Sequence, residues 1–479
     1  MFSLKKILSP HTALHKLMTF GVALIVILLA AFFTPGAEGL SASIGTLVIV
    51  FILYYTLVSR RILETLILGT FFSIALLKGR GVVQGFIDQL FATMANADFA
   101  WILLMCCFLN VFSKLLGKAG SMHAIAHLIR RIVKKPKDLN LASWLMQFPL
   151  FFDDYMTIAV GGNIMAPMYD EMEVPREEGA FIIHSLAEPM RVLFPITSWA
   201  AFLGGLYVSG GMNADGTGMT AFFKSIPFQF YPIIAIVGTL LFAIGKLPKF
   251  GTMKTPDKTL YTQLETAEEE PSKKHGTLLD FFLPLIGMMA ASFLFNFDIV
   301  PAMMVILPAT AAYYLIRGII NSEDVEACLV EGFADFMSLI LLFCLSYMLN
   351  AVLSEMGYVD YLAGLVSRFV SPNLLPFIVF TVFCLSEWIM SLNWSLLLIA
   401  FPMILPVAIS VGANPYLTGA AMISAGCFGC NMCYICDYTM LTSSVFGLKP
   451  DRHASTCVPY SVGFAVISSL LFLLAGFIF

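Results

Sequence analysis

Residues 184–199 read His184-Ser185-Leu186-Ala187-Glu188-Pro189-Met190-Arg191-Val192-Leu193-Phe194-Pro195-Ile196-Thr197-Ser198-Trp199, and this stretch decides the fold. Pro189 and Pro195 each remove a backbone donor and leave carbonyls without partners, so a helix entering the stretch is expected to break between them. His184, Glu188 and Arg191 fall at i, i+4 and i+7, on one helix face. The flanks are apolar, and 177–209 as a whole is long enough to cross about 30 Å of hydrocarbon. A broken, polar helix at membrane depth is tolerated only where it is buried in protein or lines a cavity.

The rest of the chain supports a membrane setting. Of 479 residues, 59% are hydrophobic and 12% charged, and the mean hydropathy is +0.87. A soluble domain carries about 25% charged residues, so this chain has too little charge to cover a globule of its size. Membrane-crossing runs are expected near 17–35, 44–58, 62–77, 98–117, 177–209, 224–247, 278–296, 300–317, 336–356, 416–446 and 457–479. The fold class is therefore an all-α polytopic membrane protein with about eleven transmembrane helices. Two further apolar stretches, 139–171 and 372–411, carry polar centres and read as re-entrant hairpins.

Basic residues set an expected orientation. Lys5, Lys6 and Lys16 precede the first span, which reads as an uncleaved signal anchor. Arg60, Arg61, Arg130, Arg131, Lys134, Lys135, Lys137, Lys246, Lys249, Lys449 and Arg452 share a side if there are eleven crossings. That side is the cytoplasm, with the N-terminus in it, and the Lys78/Arg80 pair is the exception. The expected location is a bacterial inner membrane, crossed many times.

The second half repeats the first at a shift of 240 residues: Leu109-Asn110 over Leu349-Asn350, Gly117 over Gly357, Pro175 over Pro415, Gly179-Ala180 over Gly419-Ala420. Amphipathic connectors, 119–133 and 359–370, precede each polar-tipped hairpin. An odd number of crossings per half makes the repeats inverted, as in many carriers whose site lies where the repeats meet. The organisation expected is an N-terminal segment with the first helix (1–39), a first repeat (40–248), a polar cytoplasmic linker (249–276) and a second repeat (277–479).

Polar residues inside hydrocarbon are functional candidates. The first tip carries Asp153 and Asp154, which would not both be charged without a cation or donor nearby. They suit exchange of a proton for Na⁺, or helix capping at the tip. The second tip reads Ser391-Leu392-Asn393-Trp394-Ser395, offering neutral oxygens from Asn393 and Ser395, with Trp394 beside them. Glu387 lies one turn before it, as a further ligand or an interfacial charge. In the first break, Glu188 reads as a proton or cation carrier. Arg191 is its modulator, an anchor for a substrate carboxylate, or its structural partner. His184 is a pH-sensitive group or a helix–helix hydrogen bonder. Thr197, Ser198 and Trp199 follow as candidates for substrate contact or gating. The matching break is 426–439, where Gly426 and Gly429 take the place of the prolines and Asp437 is the acid, with Asn431 and Thr439 beside it. Asp153, Asp154 and Asp437 are the expected Na⁺ ligands.

Cys427, Cys430, Cys433 and Cys436 invite a metal reading, but they lack the spacing and proline of an iron–sulfur motif and suit close helix packing instead. His123 and His127 have no acidic third ligand beside them, and Arg130 and Arg131 give that segment an interfacial character. No phosphate-binding loop, HExxH motif or nucleophile–base pair appears, so a pump powered by nucleotide and an enzyme are both set aside. No cofactor is expected beyond Na⁺ and H⁺ as transported ions, and no nucleic-acid partner.

The run FFDDYMTIAVGGNIMAPMYDEMEVPREEGAFIIHSLAEPMRVLFPITSWAAFLGG (151–205) resembles the signature region of NhaC-type Na⁺/H⁺ antiporters. There an FDDY-like tip is followed by a charged loop and a D-S-T-A-A-P…P-I-S-S-W-like break. FGCNMCYICDYTMLTSS (428–444) is similar to the family's F-G-D-H-C-S-P-I-S-D-T-T-I-L-S-S, with Asp437, Thr439, Leu441, Ser443 and Ser444 kept. The likeness runs from about residue 40 to the end. It implies the ion-transporter superfamily's scaffold and transport domains, elevator motion and a homodimer. The sequence departs from the pattern at Cys430, Asn431, Tyr434 and Cys436. It departs again at His184, where the family has an aspartate, and at the Glu188–Arg191 stretch. Those changes rebuild the ligand set. The leading expectation is cation-coupled secondary transport, most simply Na⁺/H⁺ antiport. The alternative is a Na⁺- or H⁺-coupled carrier of a small carboxylate or amino acid, bound by Arg191, Asn393 and Ser198.

Overall fold

The computed structural model describes residues 13–33, 42–59, 61–120, 128–129, 131–148, 150, 154–195, 197–212, 218–256, 259, 261, 276–295, 298–390, 394–434 and 436–479. Every regular element among them is helical. The first half runs α1 (Ala13–Phe33), α2 (Gly45–Ser59), α3 (Ile62–Lys78), α4 (Val82–Met94), α5 (Ala97–Lys118), α6 (Pro136–Leu145), α7 (Asp154–Glu171), α8 (Arg176–Leu193), α9 (Ser198–Ser209), α10 (Met219–Ser225) and α11 (Phe230–Ala243). The second runs α12 (Leu278–Leu294), α13 (Ile299–Arg317), α14 (Ser322–Glu355), α15 (Tyr358–Phe369), α16 (Leu375–Met390), α17 (Trp394–Val411), α18 (Pro415–Met432), α19 (Asp437–Val445) and α20 (Pro450–Ile478).

Each apolar run of the sequence falls on one of these helices or on a pair of them. By length and composition, five helical stretches among the described residues can cross a membrane, or up to eight if each bent pair is one span. One bent pair is α15 with α16, which turn by 97°. That corner carries the chain from the amphipathic connector into the second hairpin. Helix α14 starts well before the apolar run expected at 336–356, because a capping box between Asn321 and Asp324 starts it in polar sequence. Its charged first turns pair with α5 through Lys114–Asp335 (2.6 Å) and Lys118–Asp324 (3.6 Å), contacts that hydropathy does not register.

Packing divides the helices into two groups. Helices α1–α5 gather with α12–α14, and α6–α11 gather with α16–α20; the two meet where α9 packs on α5 and where α14 and α15 pack on α17. In the first group α14 meets α5 at Gly332, where an added Cβ would come 2.5 Å from Val111 Cγ2. Asn110 Nδ2 donates to the Gly332 carbonyl there, at 2.8 Å. Only glycine lets two backbones approach so closely.

In the second group, corresponding helices match in length and place. Helices α7 and α17 are both 18 residues and begin at Asp154 and Trp394, the same 240-residue step seen in sequence. Helices α8 and α18 are also both 18 residues.

The start of the polar stretch after 248 is docked rather than loose. Phe250 N donates to Tyr460 Oη (3.0 Å), which itself donates to the Pro248 carbonyl (2.8 Å). Lys249 Nζ reaches Glu178 Oε1 (2.5 Å), and Tyr261 Oη donates to Glu177 Oε2 (2.5 Å). Glu177 and Glu178 are buried in the first turn of α8, where the helix N-terminus favours negative charge. Burial and the Glu177 carboxylate push the Tyr261 phenol above its usual range.

Candidate functional site

Two interruptions bring the polar residues of the two halves together. Helix α8 runs through Pro189 and ends at Leu193, and α9 begins at Ser198. The break therefore falls between the two prolines and over the second, as their lost donors require. In the second half α18 continues through Gly426 and Gly429 and ends at Met432, and α19 starts at Asp437. The expectation that these glycines interrupt the helix is corrected: the gap lies at Cys433–Cys436. Gly429 instead makes room for a neighbour, since an added Cβ would stand 2.9 Å from Glu387 Cγ and Oε2 on α16.

A threonine bridges each gap in the same way. Thr197 Oγ1 donates to the carbonyl of Arg191, six residues back, at 3.0 Å. Thr439 Oγ1 donates to the carbonyl of Cys433, also six back, at 2.6 Å. Each hydroxyl replaces an amide donor that the break removed. Thr197 also caps α9, accepting from Ala200 N at 2.9 Å.

The breaks then lock onto each other. Glu188 Oε2 and Arg191 Nη2 lie 2.6 Å apart with side-chain exposures of 0% and 1%. The same guanidinium nitrogen donates to Tyr438 Oη on α19 at 2.8 Å. The Trp199 ring sits 5.1 Å from the guanidinium carbon, in cation–π range. The structural ion-pair reading of Glu188 and Arg191 is thus realised, with Tyr438 from the opposite half as a third member. One turn earlier, His184 Nε2 lies 3.1 Å from the Cys430 carbonyl oxygen. Asn431 Nδ2 donates to the Ser185 carbonyl and to Tyr231 Oη, both at 3.3 Å. Asn431 is buried, and its Oδ1 meets no hydrogen-bond donor among the described residues. That oxygen is a ready neutral ligand for a cation.

Asp437 differs from these groups because it is exposed. It is the first residue of α19 and accepts from Tyr438 N at 3.1 Å. A carboxylate at a half-helix N-terminus is stabilised by the free amides there. Glu387 is buried on α16 beside α18, so it belongs to the second group's interior rather than to an interface.

The tips are another matter. Asp153 and Asn393 lie outside the described residues, as do the side chains of Asp154, Ser198, Trp394 and Ser395. Their helices pack toward the breaks: α7 lies against α19, and α17 against α18. His123 and His127 also lie outside the described residues. The four cysteines of the second break are all buried. Among the described residues, the group of three donors close enough to share an ion is instead His184, His453 and Cys457. Sequence reading missed His453 and Tyr438. Each is unremarkable in its own segment, and its partner lies about half the chain away.

Similarity to known proteins agrees with this architecture. The chain is 25% identical over 415 residues to an uncharacterised protein of Haemophilus influenzae, covering 78% of each chain. In fold it is similar to the YdaH transporter of Alcanivorax borkumensis (TM-score 0.62, 13% identity, 83% of this chain and 89% of that one). It is similar also to MtrF of Neisseria gonorrhoeae, described within a class of antimetabolite efflux pumps (TM-score 0.59, 13% identity, 94% and 97%). Residues 190–477 match the Na⁺/H⁺ antiporter family, a span that opens inside the first break and takes in the whole second half. A transporter architecture, two interlocked helix breaks and this match over more than half the chain lead to one statement: the protein belongs to the Na⁺/H⁺ antiporter family.

Proposed function

We propose that this protein is a cation-coupled secondary transporter that exchanges Na⁺ for H⁺ through Asp153, Asp154 and Asp437. Asn393, Ser395 and the Asn431 carbonyl oxygen complete the cation's surroundings. The observation that carries the reading is the state of Arg191. Its guanidinium is buried and held between Glu188 and Tyr438, so it serves the joint between the breaks and is poorly placed to anchor a substrate carboxylate. Asp437 keeps an exposed carboxylate at a helix start, where a proton and Na⁺ can compete for one site.

In this reading the halves are inverted repeats, and the group holding the breaks moves as one body against the group around α5 and α14. That is elevator motion, in a homodimer in the bacterial inner membrane with the N-terminus in the cytoplasm. The basic residues that eleven crossings would gather on one side, the matched helix lengths of the two halves and the family membership support it. The second reading, a carrier of small organic solutes coupled to Na⁺ or H⁺, draws on the efflux role given to the fold neighbour MtrF.

Proteoliposomes with a lumenal pH dye separate the two. Addition of Na⁺ or Li⁺ alone is expected to drive a proton flux, lost in Asp437→Asn and in Asp154→Asn. Absence of cation-driven flux, with solute-dependent Na⁺ uptake in its place, overturns the exchange reading.

A further inference from the structure

Pro189 lies inside α8 and strips a hydrogen bond from the turn before it. In an uninterrupted helix the amide of residue 189 would donate to the carbonyl of residue 185, and proline has no hydrogen to give. The Ser185 carbonyl is met instead from the opposite half, by Asn431 Nδ2 at 3.3 Å. The other hydrogen of that amide goes to Tyr231 Oη on α11, also at 3.3 Å. The Tyr231 hydroxyl hydrogen-bonds Ser461 on α20 in turn, and Ser461 Oγ donates to the backbone carbonyl of Asn431 at 3.2 Å. Helices α8, α11, α18 and α20 thus meet at one amide. Ser185, Tyr231, Asn431 and Ser461 are all buried, at 2% exposure or less.

This network aims the amide. Both Nδ2 hydrogens have acceptors, and a turned-over amide would set its oxygen against the Ser185 carbonyl. Oδ1 therefore points the other way, where it meets no hydrogen-bond donor among the described residues. The Ser185 hydroxyl likewise has no hydrogen-bond partner among them. Buried helical serines elsewhere in the chain donate to the carbonyl four residues back, as Ser292 (2.9 Å), Ser443 (2.6 Å) and Ser468 (2.7 Å) do. Ser185 does not. Two buried oxygens from opposite halves are thus left open, one on Asn431 and one on the residue that its amide touches. The place suits a cation. Asn431 stands in the last turn of α18, which ends at Met432, and the C-terminal end of a half-helix carries partial negative charge. Neutral oxygens there can replace an ion's hydration shell, as in other carriers with broken helices.

We propose that Asn431 Oδ1 and Ser185 Oγ are paired neutral ligands for Na⁺, with Tyr231 and Ser461 as positioning residues that hold the Asn431 amide in its ligating orientation. The proposal rests on the exchange reading above and adds to it a ligand, Ser185, and the chain that orients Asn431. Pro189 is the origin of the arrangement, since an N–H at 189 would take the Ser185 carbonyl and release the amide.

The test is equilibrium binding of radioactive Na⁺ to the purified full-length protein in mild micelles, with choline keeping the ionic strength constant, alongside thermal unfolding in choline alone. Ser185→Ala is expected to weaken Na⁺ binding about tenfold or more, and Ser185→Thr, which keeps the hydroxyl, to stay within about twofold of the parent. Tyr231→Phe removes an acceptor from the amide without touching the ion, and is expected to weaken binding about threefold to tenfold. A merely structural role would lower the melting temperature in choline and leave the affinity of the folded protein unchanged. That outcome overturns the proposal and means that these oxygens hold water only. A parent that binds no Na⁺ overturns it too. If Ser185→Ala does not fold, Tyr231→Phe and Ser461→Ala decide by the same measurement. Proton flux in proteoliposomes is read separately. A parent that binds Na⁺ through Ser185 yet shows no Na⁺-driven proton flux refutes the exchange reading and leaves the ligand pair standing.

Discussion

Arg191→Met takes a guanidinium out of the joint between the two helix breaks. The cost follows from the surroundings. Glu188 and Arg191 have side-chain exposures of 0% and 1% and are 2.6 Å apart, so neither charge is hydrated. Removing one partner of such a buried pair costs about 3–5 kcal/mol, because the remaining charge stays desolvated. The bond to Tyr438 (2.8 Å) is lost as well, and hydrogen bonds to charged groups contribute about 1.5–3 kcal/mol, an amount that overlaps with the first and is not added to it. Glu188→Gln/Arg191→Met removes both charges at nearly constant volume and is expected to recover at least half of the loss. Unfolding of the parent, Glu188→Gln, Arg191→Met and the double variant by sodium dodecyl sulfate titration in mild micelles, followed by tryptophan fluorescence, gives the four free energies. From them comes the coupling between the two residues. A single-variant cost below about 1 kcal/mol, or a coupling below about 0.5 kcal/mol, refutes the claim that the pair is a dry ionic joint.

Other expectations follow from specific contacts. Gly429→Ala places a methyl group 2.9 Å from Glu387 Cγ. It should cost about 1–3 kcal/mol by the same titration, with part of the cost regained in Gly429→Ala/Glu387→Ala. Thr197→Val and Thr439→Val keep the side-chain shape but strip a donor from the Arg191 and Cys433 carbonyls. Each should cost about 1–3 kcal/mol, and hydrogen exchange should quicken at the amides flanking that break while the other break is unaffected. Gly332→Ala sets a methyl group 2.8 Å from the Val111 Cα, where backbone rather than a movable side chain must give way. A thermal shift of several degrees is expected, and an unchanged melting temperature would mean that α5 and α14 are not in backbone contact.

Much of this architecture is legible in the sequence because its physics is local. An apolar run announces a helix wherever it occurs, and Pro189 and Pro195 announce a break because proline lacks an N–H. The rotation from α15 into α16 is prefigured by the amphipathic connector before the second hairpin. What was hidden depends on distant partners. Gly426 and Gly429 look like helix breakers in isolation, yet the helix runs through them, and Gly429 is small because Glu387 lies against it. His453 is one histidine among polar residues until the fold carries it to His184. The early start of α14 is hidden for the opposite reason, since its first turns are charged and hydropathy scores them as loop. Arg191 shows both limits. Its place on the face with Glu188 is plain from spacing, whereas its bond to Tyr438 decides between anchor and joint, and no local pattern reports it.

The interlocking of the breaks also bears on how the protein is made. His184 and Cys430, Ser185 and Asn431, Arg191 and Tyr438 come from segments roughly 250 residues apart, as the separations of 246 and 247 positions in their bonds record. At about 5–20 residues per second, α8 waits on the order of 12–50 s after synthesis before α18 and α19 emerge. Throughout that interval a half-finished chain holds a histidine, an ion pair and severed helix ends in or beside the bilayer with half their partners unborn. A nascent chain cut after α11 should therefore be a substrate for membrane quality-control proteases, and supplying the second half as a separate polypeptide should spare it.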